Sequence, residues 1–276
     1  IASRLLQGAN DADVLHTAGI IHPHRVRDFD RINVGGTRAV LDAARAARAR
    51  RFVHVSSNSA FGLNATPDDA FTANEPYAPY MGYGRSKMEA ERLVRAAHHD
   101  GLETVIVRPP WFYGRHQPLR QTRFFTAVRT GRFPLFGDGS NRRSMVHVDN
   151  LVEGIVRAEL TSLAGGRAYW IADRRPYRMD EVIETVRRAL RAEGYAVSTS
   201  TPRLPSFAGA VARRLDGLLQ DRDYYSQTLH VLGEIGETIA CRIDAAERDL
   251  GYNPQVELLG GMREAIRWCR AEGIDI

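Results

Sequence analysis

Lysine is almost absent from this chain. Of the 38 lysine and arginine residues among 276, Lys87 is the sole lysine, which leaves 37 guanidinium groups. Two cysteines, Cys241 and Cys269, are too few and too far apart for a disulfide framework or a zinc site. His22-Pro-His24 and His98-His99 lack further ligands at motif spacing, so no metal is expected. No apolar run approaches the roughly 20 residues that span a bilayer, and no secretory signal opens the sequence, so a soluble, cytoplasmic protein is expected. Neither Gly-x-Ser-x-Gly nor Gly-Lys-Ser/Thr occurs, which sets aside the serine-hydrolase elbow and the P-loop. A strand–turn–helix of the form Gly-x-Gly-x-x-Gly is also missing; Gly82-Tyr-Gly84 opens a helix but has no third glycine.

What is present is globular in composition. Hydrophobic residues make up 43% and charged residues 26%, which excludes wholesale disorder and fibrous repeats. The length suits two compact units, or one large α/β domain with an appendage. The net charge of +5 is spread along the chain. Its densest run, Arg45–Arg51, closes a helical pattern and reads as a solvated helix end at the negative pole of the dipole, not as a nucleic-acid surface.

Apolar runs alternate with helical spacing, the pattern of βαβ units on a parallel sheet. Strands are expected at Asp13–Thr17, Arg51–Ser56, Thr104–Val107 and Ala168–Ile171, and helices at Asn33–Ala49, Tyr83–His99 and Met179–Glu193. Pro67–Pro79 and Gly131–Ser144 read as irregular, and the tail as two helices around a Gly251/Pro254 turn.

The solitary lysine falls four residues after a tyrosine, in Tyr83-Gly-Arg-Ser-Lys87. On a helix these positions share a face. A tyrosine titrates near 10, and a neighbouring ammonium favours its phenolate, so the pair suits proton exchange with an alcohol/ketone oxygen. Ser57, in the polar run after the strand at 51–56, stands at a strand's C-terminal end, where open α/β sheets bind ligands, and could bond that same oxygen.

In this order the residues resemble the extended short-chain dehydrogenase/reductases, the NAD-dependent epimerase/dehydratase group. Asp13-Val-Leu-His-Thr-Ala-Gly19 looks like the family's strand under the nicotinamide and ribose, and Asn33-Val-Gly-Gly-Thr37 like its next helix. Arg108-Pro-Pro-Trp-Phe-Tyr-Gly114 resembles the segment bordering the nicotinamide; Phe136-Gly-Asp-Gly139, Arg143 and Val146-His-Val-Asp149 resemble the start of the substrate region. The resemblance implies a Rossmann-like, doubly wound parallel sheet with a smaller C-terminal substrate-binding α/β region. The expected division is a dinucleotide-binding part over 1–115, with 144–172 returning to it, and a substrate part over 116–143 and 173–276. Ser57, Tyr83 and Lys87 are implied as catalytic. Thr17, Ala18, Gly19, Asn33, Tyr83, Lys87, Pro109 and Pro110 are implied at NAD or NADP, and Ser57, Ser59, Trp111 and Arg143 at substrate, Arg143 toward a nucleotide diphosphate.

The family's first βαβαβ stretch, with its glycine-rich phosphate turn, has no counterpart here. The expectation is therefore an amino-terminally truncated form, short by roughly 50 to 60 residues, that binds cofactor poorly alone. Trp111 stands where several sugar-nucleotide members carry asparagine. Together these residues point to NAD(P)-dependent epimerisation, dehydration or oxidoreduction at an alcohol/ketone centre, as of a nucleotide sugar. The competing readings are a reductase or dehydrogenase of a hydrophobic alcohol, sterol- or flavonoid-like, with Trp111, Phe112 and Phe61 at the pocket, and a non-catalytic dinucleotide sensor. Small-molecule substrate, no nucleic acid, no membrane, and a homodimer through the helices at 33–49 and 83–99 complete the expectation.

Overall fold

A computed structural model describes residues 2–8 and 10–276. From the amino end come β1 (Asp13–His16), α1 (Gly35–Ala46), β2 (Arg51–Val55), α2 (Met81–His99), β3 (Glu103–Arg108) and β4 (Trp111–Tyr113). Then follow α3 (Leu119–Arg129), β5 (Arg142–Arg143), β6 (Met145–His147), α4 (Val148–Leu160) and β7 (Ala168–Trp170). The C-terminal part adds α5 (Met179–Ala192), α6 (Phe207–Gln220), α7 (Gln227–Ile235), α8 (Asp244–Leu250) and α9 (Leu258–Ala271). Among the described residues no helix is long and apolar enough to cross a membrane.

The main sheet runs β1-β2-β3-β7, every neighbour parallel, with Val53 opposite Val105 and Ile106 opposite Ala168. Side chains alternate across the pleat, so β2, β3 and β7 each feed two cores, and β1 feeds one. Val14, Phe52, Ile106 and Ala168 pack with Leu41 and Ala44 of α1 and Val94 and Ala97 of α2. Val53, Val105, Val107 and Tyr169 pack with Leu151 and Ala158 of α4 and Leu250 of α8. Helices thus cover both faces, as a doubly wound sheet requires. β1 and β7 are the edge strands, and Leu15 on β1 is half exposed. A third core joins α3, α5 and α9 through Phe125, Val182, Ile183, Val186, Met262 and Ile266.

Two local features depart from the sequence expectation. The helix expected from Asn33 is preceded by a helical turn at Arg27–Phe29 and a π-helical turn at Asp30–Val34. A π-turn inserts one residue into the winding and re-aims its side chains, and Asn33 lies within it. Arg51 opens β2 as expected of the strand at 51–56, but it is buried there and not on the solvated helix end that the run Arg45–Arg51 suggests. Its guanidinium donates to the carbonyls of Ala158, Glu159 and Thr161 and pairs with Glu103. It therefore satisfies the last, otherwise orphaned carbonyls of α4.

A pair of histidines lies under the helix layer. His16 and His54, opposite each other in β1 and β2, stack at 5.4 Å, and His16 shares a hydrogen bond with Thr37 Oγ1 at 3.1 Å. Burial, with Lys87 close by, lowers the His16 pKa to about 4 and holds that of His54 well below its ordinary value. Both rings are neutral in the fold and gain protons in the unfolded chain below pH 6.5, so stability falls as pH drops toward 4. Among the described residues, neither ring nitrogen of His54 has a hydrogen-bond partner. His54→Leu is therefore expected to weaken the pH dependence of unfolding free energy between pH 7 and 5, measured by urea denaturation. An unchanged slope would remove His54 from the acid response.

Candidate active site

Helix α2 sets the site, and two glycines let it do so. A Cβ on Gly84 would lie 2.1 Å from the carbonyl oxygen of Ser59, so only glycine permits α2 to rest on the turn after β2. Gly82 is similarly enclosed, by Val26 and Gln220. Tyr80 N donates to Ser59 O at 2.8 Å, fastening the start of the helix to that same turn. Ser57 is extended and buried; its Oγ accepts from Ser59 N at 3.2 Å and donates to Ser59 Oγ at 3.4 Å. The turn is anchored to the next strand by Asn58 N, which donates to Pro109 O at 3.3 Å; Pro109 and Pro110 are both buried.

One turn along α2 from Tyr83, Lys87 is buried, and its Nζ donates to Val55 O at 3.1 Å, two residues before Ser57. A Cβ on Gly19 would lie 3.4 Å from that Nζ and 3.2 Å from Asn33 Oδ1. Asn33 accepts from Ile20 N at 2.8 Å and donates to Ile20 O at 3.0 Å and to Ser86 Oγ at 3.0 Å. Ser86 in turn donates to Tyr83 O at 2.8 Å. The π-turn asparagine thus ties the loop after β1 to the catalytic-candidate helix. Thr17, Ala18 and Gly19 on that loop are exposed.

Burial pushes the Lys87 pKa from its ordinary 10.5 down to about 8, with Glu91 one turn further along acting against the shift. Glu91 and Arg108 form a fully buried bidentate pair at 3.1 and 2.8 Å. Tyr77 OH donates to the same carboxylate at 2.7 Å, and the guanidinium lies 4.2 Å from the centre of the Phe61 ring. Removing one partner of such a buried pair costs about 3–5 kcal/mol.

The other expected site residues divide between two neighbourhoods. Tyr83 is buried where the loop after β1 meets the C-terminal part, with its ring 5.7 Å from Phe29 and clustered with Tyr225, Ile20 and Val26. Trp111 is half-buried edge-on to Phe124 at 5.2 Å. Arg143 is buried on β5, where it donates to Glu234 O at 3.1 Å and faces the Glu234 carboxylate at 3.7 Å. Phe61, expected at an apolar pocket, is a core residue stacked on Tyr77 at 5.1 Å. Lys87, Gly19 and Asn33 are therefore brought together, with Ser57 adjoining through β2, while Trp111 and Arg143 belong to the C-terminal side.

Glu91, Arg108 as its partner, and Gln220 are neighbours of the site that local sequence pattern does not single out. Only the helical spacing of Lys87 and Glu91 could have flagged the first. His147, Asp149 and Glu264 place ligand-type atoms within 4.8 Å of one another. Arg115 already reaches Asp149 at 2.7 Å and Glu264 at 3.5 Å, so these carboxylates face a cation of the chain itself.

The sequence model of the NAD dependent epimerase/dehydratase family matches residues 6–172. The chain belongs to this family. That agrees with the extended short-chain dehydrogenase/reductase resemblance carried by the residues. The uncharacterized protein y4nL of Sinorhizobium fredii (strain NBRC 101917 / NGR234) is 47% identical over 96% of this chain and 76% of its own length. A 4-hydroxy-2-methyl-3-oxo-4-farnesyl-3,4-dihydroquinoline-1-oxide ketoreductase of Stigmatella aurantiaca is 30% identical over 98% of this chain and 80% of its own. Among solved structures, the dTDP-glucose 4,6-dehydratase DesIV of Streptomyces venezuelae, with NAD and a second ligand bound, superposes at a TM-score of 0.73. It is 26% identical, with 98% of this chain and 77% of that chain covered.

A lysine whose folded pKa is depressed carries a stability penalty that is complete below pH 8 and relieved as pH rises toward 10.5, because the unfolded chain binds the extra proton in that window. The shift corresponds to about 3 kcal/mol, and losing the bond to Val55 O returns part of it. Lys87→Met is expected to raise Tm at pH 7 and to lose that advantage near pH 10.5. A lower Tm at pH 7 would contradict the assignment of Lys87 as a strained, buried cation.

Proposed function

We propose that this chain acts as an NAD-dependent oxidoreductase of the epimerase/dehydratase type on an alcohol/ketone centre, with a nucleotide-activated sugar as substrate class. The observation that carries this is the placement of the sole lysine. It is buried beside the exposed Thr17–Gly19 loop and Asn33, bonded to the strand that leads to Ser57, and one helical turn from Tyr83. The close fit of Gly19 against Lys87 and Asn33 leaves a backbone surface suited to a nicotinamide ribose, with the Lys87 ammonium as donor to its hydroxyls. Pro109 and Pro110, at the end of the adjacent β3, would border the same ring.

When bound, the nicotinamide supplies the acceptor and donor of hydride. Tyr83 takes the hydroxyl proton as the alcohol is oxidised and returns it on reduction. Lys87 favours the phenolate electrostatically, and Ser57 and Ser59 orient the reacting oxygen. Support comes from the family and from the dTDP-glucose dehydratase relative. NAD bound in that relative supports NAD as the coenzyme.

A second reading is reduction of an apolar ketone. It is favoured by Arg143, whose guanidinium is already engaged by the carbonyl and carboxylate of Glu234, by the aromatic pair Trp111–Phe124, and by the ketoreductase relative. With NAD and dTDP-glucose as probe, Tyr83→Phe is expected to lower kcat by about 100-fold or more while the fold is kept, as judged by Tm. Undiminished turnover would remove the mechanism. On the sugar-nucleotide reading Arg143→Ala raises KM for dTDP-glucose about tenfold and flattens its salt dependence. A KM indifferent to both would favour the apolar substrate.

A further inference from the structure

The catalytic-candidate helix begins under strain. Met81 has φ +54°, a left-handed conformation that costs a side-chain-bearing residue of order 1 kcal/mol and persists only where the surroundings impose it. The next amide, Gly82 N, donates to Gln220 Oε1 at 2.9 Å, a contact between residues 138 apart in sequence. Gln220, at the end of α6, is itself fixed: its Nε2 donates to Asp216 Oδ2 at 2.9 Å, and His230 Nδ1 on α7 meets the same oxygen at 2.9 Å. Asp216 is fully buried, and Gln220 and His230 nearly so. Beside these bonds the α6–α7 pair also touches Tyr80, the residue that precedes α2. The His230 ring packs tilted against the Tyr80 ring at 4.9 Å, and a Cβ on Gly233 would lie 2.7 Å from the Tyr80 hydroxyl. Tyr225, between the two helices, packs edge-on to Phe29 at 5.5 Å, and Phe29 packs against Tyr83.

We propose that Gln220, braced by Asp216 and His230, is a positioning residue: its carbonyl oxygen holds the Gly82 amide and the strained turn at Met81, and so sets where Tyr83 stands on α2. The carbonyls of Ala158, Glu159 and Thr161 at the end of α4 are satisfied by a charged arginine, whereas the Gly82 amide in the first turn of α2 is satisfied from outside the βαβ unit. The C-terminal part, which carries Arg143's partner Glu234 on the same α7, thereby fixes the geometry of the proton-exchanging group. The functional meaning rests on the assignment of Tyr83 in the preceding section; the placement itself does not.

The test is made without substrate. Hydrogen–deuterium exchange is read on the segment 80–88 and, as a reference, on β3. The Tyr83 ring carbon next to the hydroxyl is followed by 13C-tyrosine NMR through a pH titration, its signal assigned by its loss in Tyr83→Phe. Gln220→Leu is expected to speed exchange in 80–88 by roughly tenfold with β3 unchanged, and to shift the Tyr83 signal and its titration midpoint. The double variant Asp216→Asn with Gln220→Glu exchanges the charge but keeps an acceptor for Gly82 N and a donor between the two side chains, with His230 Nδ1 accepting from the Asn amide in its other tautomer. It is expected to return both readouts toward those of the parent chain, and it serves as the decisive comparison if Gln220→Leu does not fold. Unchanged exchange and an unmoved Tyr83 signal in Gln220→Leu would overturn the proposal, as would faster exchange shared equally by β3, or a double variant no closer to the parent. Turnover retained in Tyr83→Phe would strike the functional reading alone.

Discussion

Taking an ammonium out of water is unfavourable by several kcal/mol unless the protein supplies acceptors, and much of the architecture around α2 serves that one requirement at Lys87. The main-chain oxygen of Val55 faces it because β2 ends one residue before a polar turn; the turn is close enough because Gly84 carries no side chain. Glu91 sits a helical turn away and supplies negative charge, yet its own carboxylate is claimed by Arg108 and Tyr77, so it lessens the penalty without neutralising the amine outright. The result is a lysine with a lowered proton affinity in a rigid setting, which is how chemistry is set apart from mere surface charge.

The same helix is braced from three directions. Asn33, turned inward by the π-helical winding, joins the loop after β1 to Ser86. Glu91 joins α2 to the end of β3. The α6–α7 pair joins it to the C-terminal part through Gln220, Tyr80 and Tyr225. Each brace uses a different part of the fold, and together they fix the helix's rotation as well as its depth over the sheet. Positions of the Tyr83 and Lys87 tips follow from those two quantities, since the two residues differ by one helical turn.

How much of this was legible in the sequence depends on range. The four strands of the main sheet and the helix bearing Tyr83 and Lys87 follow from local periodicity, and the lysine stood out because nothing else in the chain resembles it. Residue pairing across long separations left no local trace. Arg51 reads as the start of a strand and the last arginine of a solvated run, and only the fold sets it against the carbonyls of α4. Gln220 looks like an ordinary helix-terminal polar residue, and only the folded chain brings it to Gly82. Arg143 could be recognised by its motif, but its engagement with Glu234 depends on where α7 lies. The winding change at Asp30–Val34 also escaped notice, because a single inserted residue hardly disturbs an apolar spacing.

The near-total replacement of lysine by arginine has a practical corollary. Guanidinium groups do not react with acylating or reductive-alkylation reagents under mild conditions, because they stay protonated. Along these 276 residues only one side chain, Lys87, offers a primary amine, and its depressed pKa makes an unusually large fraction nucleophilic just above neutral pH. Side-chain acylation therefore has a single destination, a buried amine beside the loop at Thr17–Gly19, and its rate gauges how far that amine is uncovered.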